Sequence, residues 1–113
     1  MTEKYYNDKG EVGVLYSPDF GAGWYSWNKT RPEILFDKKL IELVLQKDEE
    51  DDFISDEAMQ YIKDTYGNKK GFYMGGANTL EVGFIPKGTK FIVHEYDGYE
   101  SIQTEDSFNW ITA

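Results

Sequence analysis

The sequence contains 113 residues, of which 17% are aromatic and none is cysteine, and its formal net charge is −9. The length predicts one domain over residues 1–113, and the absence of cysteine excludes disulfide bonds and thiolate metal sites. The acidity excludes tight binding to long nucleic acid, which needs many cations against the phosphates, although a small anionic ligand needs only a few donors.

The N-terminal part predicts a strand, an aromatic loop and a short extended segment. Residues 11–17, EVGVLYS, alternate between apolar and small or polar side chains, as expected for a strand with one buried face. Residues 31–36, RPEILF, are predicted to be extended because Pro32 disfavours a helical backbone at Arg31. The loop FGAGWYSWN lies between these two segments.

Two helices are predicted next. Asp37 is a suitable N-cap for a helix that continues to about Lys47, and Ser55 is a suitable N-cap for a second helix that ends at Gly67. The acidic run DEEDD at 48–52 is predicted to be a solvated connection between them. The positions expected to face the core are Leu40, Ile41, Val44 and Leu45 in the first helix and Ala58, Tyr61, Ile62 and Thr65 in the second.

The rest of the chain predicts short strands separated by turns. The predicted strands are residues 71–76, 79–85, 89–96, 99–103 and 108–112. Asp97 and Gly98 suit a two-residue type I′ hairpin turn. The resulting fold class is α+β: an antiparallel sheet of about five to six short strands, with a two-helix insertion after the first strand.

The loop FGAGWYSWN combines a flexible backbone with large rings. Gly21 and Gly23 allow positive φ angles and a close approach of backbone N–H groups to a ligand. Trp24, Tyr25 and Trp27 follow, and aromatic faces stack on bases and sugars. The loop therefore predicts either a cradle for a nucleotide-like ligand or a segment that only packs onto the core. Both hold together if Trp24 is inside and Tyr25 or Trp27 is exposed.

Arg31, the only arginine, follows this loop. Its planar guanidinium could clamp a phosphate or a carboxylate, or it could be an ordinary surface residue. No cofactor is expected. The predicted ligand-binding residues are Tyr16, Gly21, Gly23, Trp24, Tyr25, Trp27 and Arg31, completed by Tyr96 and Tyr99.

The predicted hairpin turn sets a register for the strands on either side of it. It places His94, the only histidine, opposite Ser101, as either a satisfied sheet histidine or part of a catalytic pair. It also places Glu95 opposite Glu100, although like charges destabilise a ladder. Either the strand end splays into solvent, or a lysine or arginine of this or another subunit bridges the pair. The third possibility is that the glutamates bind a divalent cation or act in acid–base chemistry.

Four segments that span about nine-tenths of the chain carry a resemblance to a known family. They are VLYSPDFGAGWYSWN, ILFDKKLIELV, LEVGFIPKGTKFIVHEYDGYESI and NWITA. Together they resemble a family of small proteins from bacterial viruses and prophages, whose members often carry Gly in place of Asp19 or Phe20. The resemblance implies a viral accessory protein in the host cytoplasm, and it transfers no catalytic residues. By analogy with its class, such a protein sequesters a nucleotide-derived immune signal.

We therefore expect a non-enzymatic protein that binds a small nucleotide-like ligand. The alternative is an inhibitor of a host nucleic-acid-binding or defence protein, which would bind through residues 37–57 because they hold −6 of the charge. A small hydrolase is a second alternative. Aromatic content beyond the capacity of one small core predicts a homo-oligomer, most simply a dimer. The sequence has neither an apolar run of membrane-spanning length nor an apolar signal region, so no membrane association is expected.

Overall fold

The structure is a computed structural model that describes residues 4–18, 23–28, 31–47, 53–69, 71–72, 76–96 and 99–104. Its strands are β1 (Glu11–Tyr16), β2 (Glu81–Pro86), β3 (Phe91–Tyr96) and β4 (Tyr99–Thr104), and its α-helices are α1 (Lys38–Leu45) and α2 (Asp56–Tyr66). Three short 3-10 helices cover Tyr25–Trp27, Pro32–Leu35 and Ala77–Thr79. Both α-helices lie between β1 and β2 in the chain, as predicted.

The two predicted helix caps are confirmed. The side chain of Asp37 accepts a hydrogen bond from the backbone N–H of Leu40 at 3.1 Å. The hydroxyl of Ser55 accepts one from the backbone N–H of Ala58, also at 3.1 Å. Each cap satisfies one of the amide groups that the first turn of a helix leaves unpaired.

The predicted inward faces are correct except at one position in each helix. Leu45 is 42% exposed and Thr65 is also exposed, whereas Leu43 and Tyr66 are buried instead. Leu43 follows the buried Leu40 by three positions, and Tyr66 is on the last turn of α2, so both extend an apolar stripe at helical spacing. Leu45 is the last residue of α1, where the chain leaves the core.

The prediction of one sheet with five to six strands is wrong. The described residues form two separate two-stranded antiparallel sheets, β1–β2 and β3–β4. The predicted strand at 71–76 is absent from its described part, because Gly76 precedes a 3-10 helix. Residues 73–75 and the predicted strand 108–112 lie outside the described residues.

The two sheets stay separate because β4 packs onto a face of the first sheet. A Cβ atom added to Gly83 of β2 would be only 2.9 Å from Cδ1 of Ile102 of β4. Beyond the end of β1, the backbone N–H of Glu100 donates to the carbonyl of Ser17 at 2.8 Å. The hairpin is thus hydrogen-bonded to the residue that follows β1 and packed across the face of the first sheet.

The extended conformation predicted for residues 31–36 is also wrong, because Pro32–Leu35 form a 3-10 helix. Arg31 itself is not helical, with φ −129° and ψ 66°, as the following proline requires. Proline fixes its own φ near the helical value and needs no N–H donor at a first helical position. It therefore excludes Arg31 from the helix and begins the helix itself.

Two groups of buried side chains form the core. The larger group joins both α-helices to β1 and to Trp24 of the aromatic loop. The smaller group contains Val14, Leu35 and Ile85, and it is covered by side chains of the β3–β4 hairpin. No helix in the described ranges is long and apolar enough to span a bilayer.

Candidate functional site

The carboxylate of Glu100 is the hydrogen-bonding centre of the aromatic loop. Glu100 is 2% exposed, and its Oε1 accepts the backbone N–H of Ser17 at 2.8 Å. Its Oε2 accepts the backbone N–H groups of Trp24 and Ser26, each at 2.8 Å, and the hydroxyl of Ser26 at 2.7 Å. One buried carboxylate therefore fixes both ends of the segment 17–26 through four donors.

The register of the hairpin explains how Glu100 reaches the loop. Glu95 pairs with Glu100, Val93 with Ile102 and Phe91 with Thr104, as the sequence predicted for the two glutamates. Paired residues share a face, and Phe91, Val93 and Ile102 pack on the smaller core group. Glu100 is therefore on the inner face of the hairpin.

The structure places the two glutamates of the predicted like-charge pair in different environments. The charge of Glu100 is stabilised by hydrogen bonds from backbone amides, while Glu95 is exposed near the end of the strand. The described residues contain no group of three His, Cys, Asp or Glu side chains that could hold a metal ion. Sequence reasoning missed Glu100 as the anchor of the loop, although the glutamate pair was its visible signal.

Trp24 is an interior residue of the larger core group. It is 0% exposed, and its indole N–H donates to the carbonyl of Ile34 at 3.2 Å. The rings of Tyr66 and Phe72 meet it edge-on, with centroids 6.0 Å and 5.4 Å away. Its faces are therefore covered by protein in this structure, which matches the packing interpretation of the loop.

The glycine predicted to approach a ligand approaches another part of the backbone instead. Gly23 has a φ of 76°, and its carbonyl accepts the N–H of Gly76 at 3.1 Å. A Cβ on Gly76 would be 2.4 Å from that carbonyl oxygen, so only glycine fits there. Gly21 and the side chain of Trp27 lie outside the described residues.

The other predicted site residues divide among three places. Arg31 has its guanidinium carbon 6.0 Å from the centroid of Phe72, and the half-buried Tyr25 packs against both core groups. Tyr96 is 76% exposed and Tyr99 is 44% exposed, and they pair with each other on the outer face of the hairpin. Side chains alternate between the two faces of a strand, so these two rings lie on the face opposite to Glu100.

His94 and Ser101 are paired as predicted, and both are exposed on the outer face. Glu95 and Glu100 project from the inner face, so neither of these carboxylates lies behind His94 to orient it. These four residues therefore do not assemble a nucleophile, a base and an orienting acid.

A cleft lies where β4 packs on the first sheet, and we name it the Gly83 cleft. It is open to solvent, has a volume of about 360 Å³, and its described lining includes Tyr16, Gly83, Ile85, Ser101, Ile102 and Thr104. A Cβ on Gly83 would be 3.4 Å from Tyr16 Cε1 and 2.9 Å from Ile102 Cδ1. Because glycine has no side chain, Gly83 leaves room for Tyr16 and Ile102.

The polar side chains in the described lining of the Gly83 cleft, those of Tyr16, Ser101 and Thr104, are uncharged. Burial, with the negative charge of Glu81, raises the pKa of Tyr16, so its hydroxyl keeps its proton well into the alkaline range. Within the described ranges β2 pairs only with β1 and β4 only with β3. On the second edge of β4, the backbone N–H of Glu100 donates to the carbonyl of Ser17.

A second cavity is smaller. It has a volume of about 180 Å³ and lies between Lys4, Phe36 and Phe91. The Lys4 ammonium sits 4.8 Å from the centroid of the Phe36 ring, which already gives this cation a partner. Ligand sites usually enclose about 300–1,000 Å³, so the Gly83 cleft is the better candidate.

The carboxylate of Asp37 is also buried, and it links the two α-helices. Asp37 accepts hydrogen bonds from the hydroxyls of Tyr61 and Tyr66 of α2 as well as from the first turn of α1. Burial and this carboxylate raise the pKa of Tyr61 to about 12, and they also raise the pKa of Tyr66. The three side chains join the two helices through hydrogen bonds.

Comparison of the chain with protein-family models, with curated proteins and with solved structures gives no significant match.

Proposed function

We propose that the protein binds a small nucleotide-like ligand in the Gly83 cleft, without catalysis. The observation that carries this proposal is the cleft itself, about 360 Å³ in volume, whose described lining combines Tyr16 and Phe84 with aliphatic side chains and neutral hydroxyls. This volume is near the lower end of the range for small-molecule sites. Tyr16 belongs to the predicted ligand-binding set and offers a ring and a hydroxyl.

The cleft replaces the aromatic loop as the proposed centre of the site. Glu100 occupies backbone donors of the loop, and the ring of Trp24 is covered by Tyr66 and Phe72. The loop instead supports the site, because the same strand β4 carries Glu100 and the cleft residue Ile102. Anchoring Glu100 fixes the position of β4 against the first sheet.

The biological role that we propose rests on the resemblance stated above. A small accessory protein of a bacterial virus would sequester a nucleotide-derived immune signal in the host cytoplasm, and it would act as a homo-oligomer. Sequestration needs only affinity and abundance, so a neutral cleft without catalytic groups suffices for it.

The test is a pair of glycine-to-alanine variants in the same sheet. Gly83→Ala adds a methyl group at the base of the cleft, 2.9 Å from the flexible end of Ile102. Gly13→Ala adds the same group on the other face of the sheet, where side chains of Tyr5, Ile41 and Val82 are 3.4 Å away. Calorimetric titration would use nucleosides, cyclic and linear nucleotides and ADP-ribose derivatives, with circular dichroism to monitor folding.

We expect Gly83→Ala to weaken binding by roughly tenfold, which corresponds to about 1.4 kcal/mol, and Gly13→Ala to leave the affinity unchanged. If the wild-type protein binds no compound of the panel, the proposal fails. If Trp27→Ala and Arg31→Ala abolish binding while Gly83→Ala does not, the ligand binds at the aromatic loop instead. That result would restore the site predicted from the sequence.

One observation favours the second candidate, an inhibitor that binds a host protein. Leu45 and Phe53 are 42% and 62% exposed, and they flank the acidic run at 48–52. Apolar side chains beside a cluster of acids would suit a partner with a basic rim and an apolar centre.

The same two features define a test of this second candidate. The protein would be immobilised and exposed to basic proteins of a bacterial lysate at increasing salt. The second candidate predicts that a partner retained by the wild type is lost by Phe53→Ser. The same partner should also be lost by a variant with Gln at 49–51. Retention by both variants excludes this surface as the contact.

A further inference from the structure

The backbone of β2 has one edge that faces β1 and one that faces away from it. The N–H of Gly13 in β1 donates to the carbonyl of Tyr5, on the side of β1 opposite to β2. Phe84 is the cross-strand partner of Gly13, so its N–H and C=O also point away from the shared ladder. Because these directions alternate along a strand, the N–H and C=O of Val82 point to the same outer edge.

The free part of this outer edge has defined ends. At one end, the carbonyl of Leu80 accepts the ammonium of Lys47 at 2.9 Å. At the other end, the carbonyl of Pro86 accepts the backbone N–H of Thr89 at 3.1 Å. Between these two contacts, no residue in the described ranges forms a hydrogen bond with the outward backbone groups of β2. A short row of such groups is a template for one more strand.

The side chains beside this edge favour a particular kind of added strand. Gly83 lies at its middle, next to a cleft of about 360 Å³, whereas a cavity of about 150 Å³ is enough for a benzene ring. An aromatic residue on a neighbouring strand compensates for the missing side chain of an edge glycine. Glu81 is exposed on the same face, and its partner in β1 is the uncharged Tyr16. A cation opposite this carboxylate would stabilise the pairing.

We propose that the outer edge of β2 binds an extended segment of a partner protein as an additional antiparallel strand. An aromatic residue of the segment lies opposite Gly83, and a lysine or arginine two positions later lies opposite Glu81. Ladder hydrogen bonds to Val82 and Phe84 supply affinity, and the two side chains supply specificity. The net charge of −9 favours a basic segment over an acidic one. This inference goes beyond the proposed function, because a small molecule in the Gly83 cleft does not need the backbone edge.

The first experiment uses the peptide Ser-Val-Tyr-Val-Lys-Ser, acetylated and amidated at its ends, in calorimetric titration of the wild-type protein. Its two valines are the residues that would exchange hydrogen bonds with Val82 and Phe84. The control peptide is N-methylated at both valines, which removes these two donors and keeps every side chain. We expect the control to bind at least tenfold more weakly, as the loss of two hydrogen bonds predicts.

The second experiment changes the edge of the protein. Phe84→Pro removes an outward N–H and leaves the ladder to β1 in place, as proline does on edge strands, whereas Phe84→Ala keeps that N–H. The proline variant should bind the peptide several-fold more weakly than the alanine variant, with circular dichroism to confirm folding. Glu81→Lys should weaken binding by about two- to fivefold, and a peptide with glutamate in place of its lysine should restore it.

Three results would overturn the inference. The first is that the wild-type protein does not bind the peptide. The second is that both peptides bind equally well, since contact would then not depend on ladder hydrogen bonds. The third is that the mass of the wild type by light scattering is twice that of folded Phe84→Pro, which would assign the edge to a second copy of the chain. The N-methylated peptide and the charge exchange at Glu81 keep the test decisive even if Phe84→Pro fails to fold.

Discussion

The carboxylate of Glu100 accepts a hydrogen bond from the backbone N–H of Trp24 at 2.8 Å, across 76 positions of the chain. This contact connects the hairpin to the aromatic loop, and the buried indole of Trp24 connects the loop to both helices. A buried charge is tolerated only where hydrogen bonds replace its hydration. Glu100 meets that condition through three amides and one hydroxyl.

We predict that Glu100→Gln destabilises the protein by about 3 kcal/mol. The substitution keeps the size of the side chain but replaces one acceptor oxygen with an NH₂ group. The donors of Ser17, or those of Trp24 and Ser26, then lose their partner. Chemical unfolding monitored by circular dichroism measures the change, and the melting temperature should fall by about 10 °C.

Glu95→Gln is the control for that experiment because it changes the exposed partner of the same cross-strand pair. Its expected effect is less than about 1 kcal/mol, as for other exposed charges. Equal losses in the two variants would show that Glu100 stabilises the fold only as a member of the hairpin.

The sequence predicted most of the local structure because the relevant signals were local. Asp37 and Ser55 are cap residues beside apolar stripes. The register expected from a two-residue turn at 97–98, which lies outside the described residues, agrees with the pairing of Tyr96 with Tyr99. The number of sheets was not predictable in this way. The packing of Ile102 over Gly83 joins residues that no short-range pattern connects, and it turns an expected edge pairing into a face contact.

The site was harder to predict than the fold. The loop composition was recognised, but composition does not distinguish donors aimed at a ligand from donors aimed at a side chain elsewhere in the chain. Glu100 was noticed only together with Glu95, as a destabilising like-charge pair or as a possible cation or acid–base site. Its inward direction follows from Phe91, Val93 and Ile102 packing on the core, which the alternation of β3 and β4 alone leaves undetermined.

We predict that Asp37→Ala costs about 3 kcal/mol, clearly more than Ser55→Ala at about 1 kcal/mol. Each substitution removes the N-cap of one helix. Asp37→Ala also leaves the hydroxyls of Tyr61 and Tyr66 without their shared acceptor. Urea unfolding of both variants measures the difference. Equal effects would mean that the link between α1 and α2 contributes nothing beyond the cap.

We predict that stability falls as pH rises from about 10 to about 12. The ordinary pKa of tyrosine is 10.0, and burial and Asp37 raise the pKa of Tyr61 to about 12. The unfolded chain therefore loses this proton first and binds fewer protons in that interval, so the free energy of unfolding decreases with pH. Below about pH 10 the contribution is complete.

Urea unfolding at several alkaline pH values tests this dependence. Tyr61→Phe should be less stable than the wild type near neutral pH but should show a shallower decline between about pH 10 and 12. Tyr66→Phe should act in the same direction, because burial and Asp37 also raise its pKa. A decline as steep as that of the wild type in both variants would assign it to other groups.

We predict a homodimer that forms through the outer face of the β3–β4 hairpin. Ile92, Tyr96 and Tyr99 are 51%, 76% and 44% exposed on this one face, and exposed apolar patches of monomeric proteins commonly mark interaction surfaces. The double variant Ile92→Thr/Tyr96→Ser should weaken association by tenfold or more, roughly 1.4 kcal/mol, because buried aromatic residues often dominate interfaces. Phe53→Ser removes an equally exposed ring elsewhere and should not. Light scattering over a concentration series measures the mass, and a constant 13.1 kDa for the wild type would exclude the dimer.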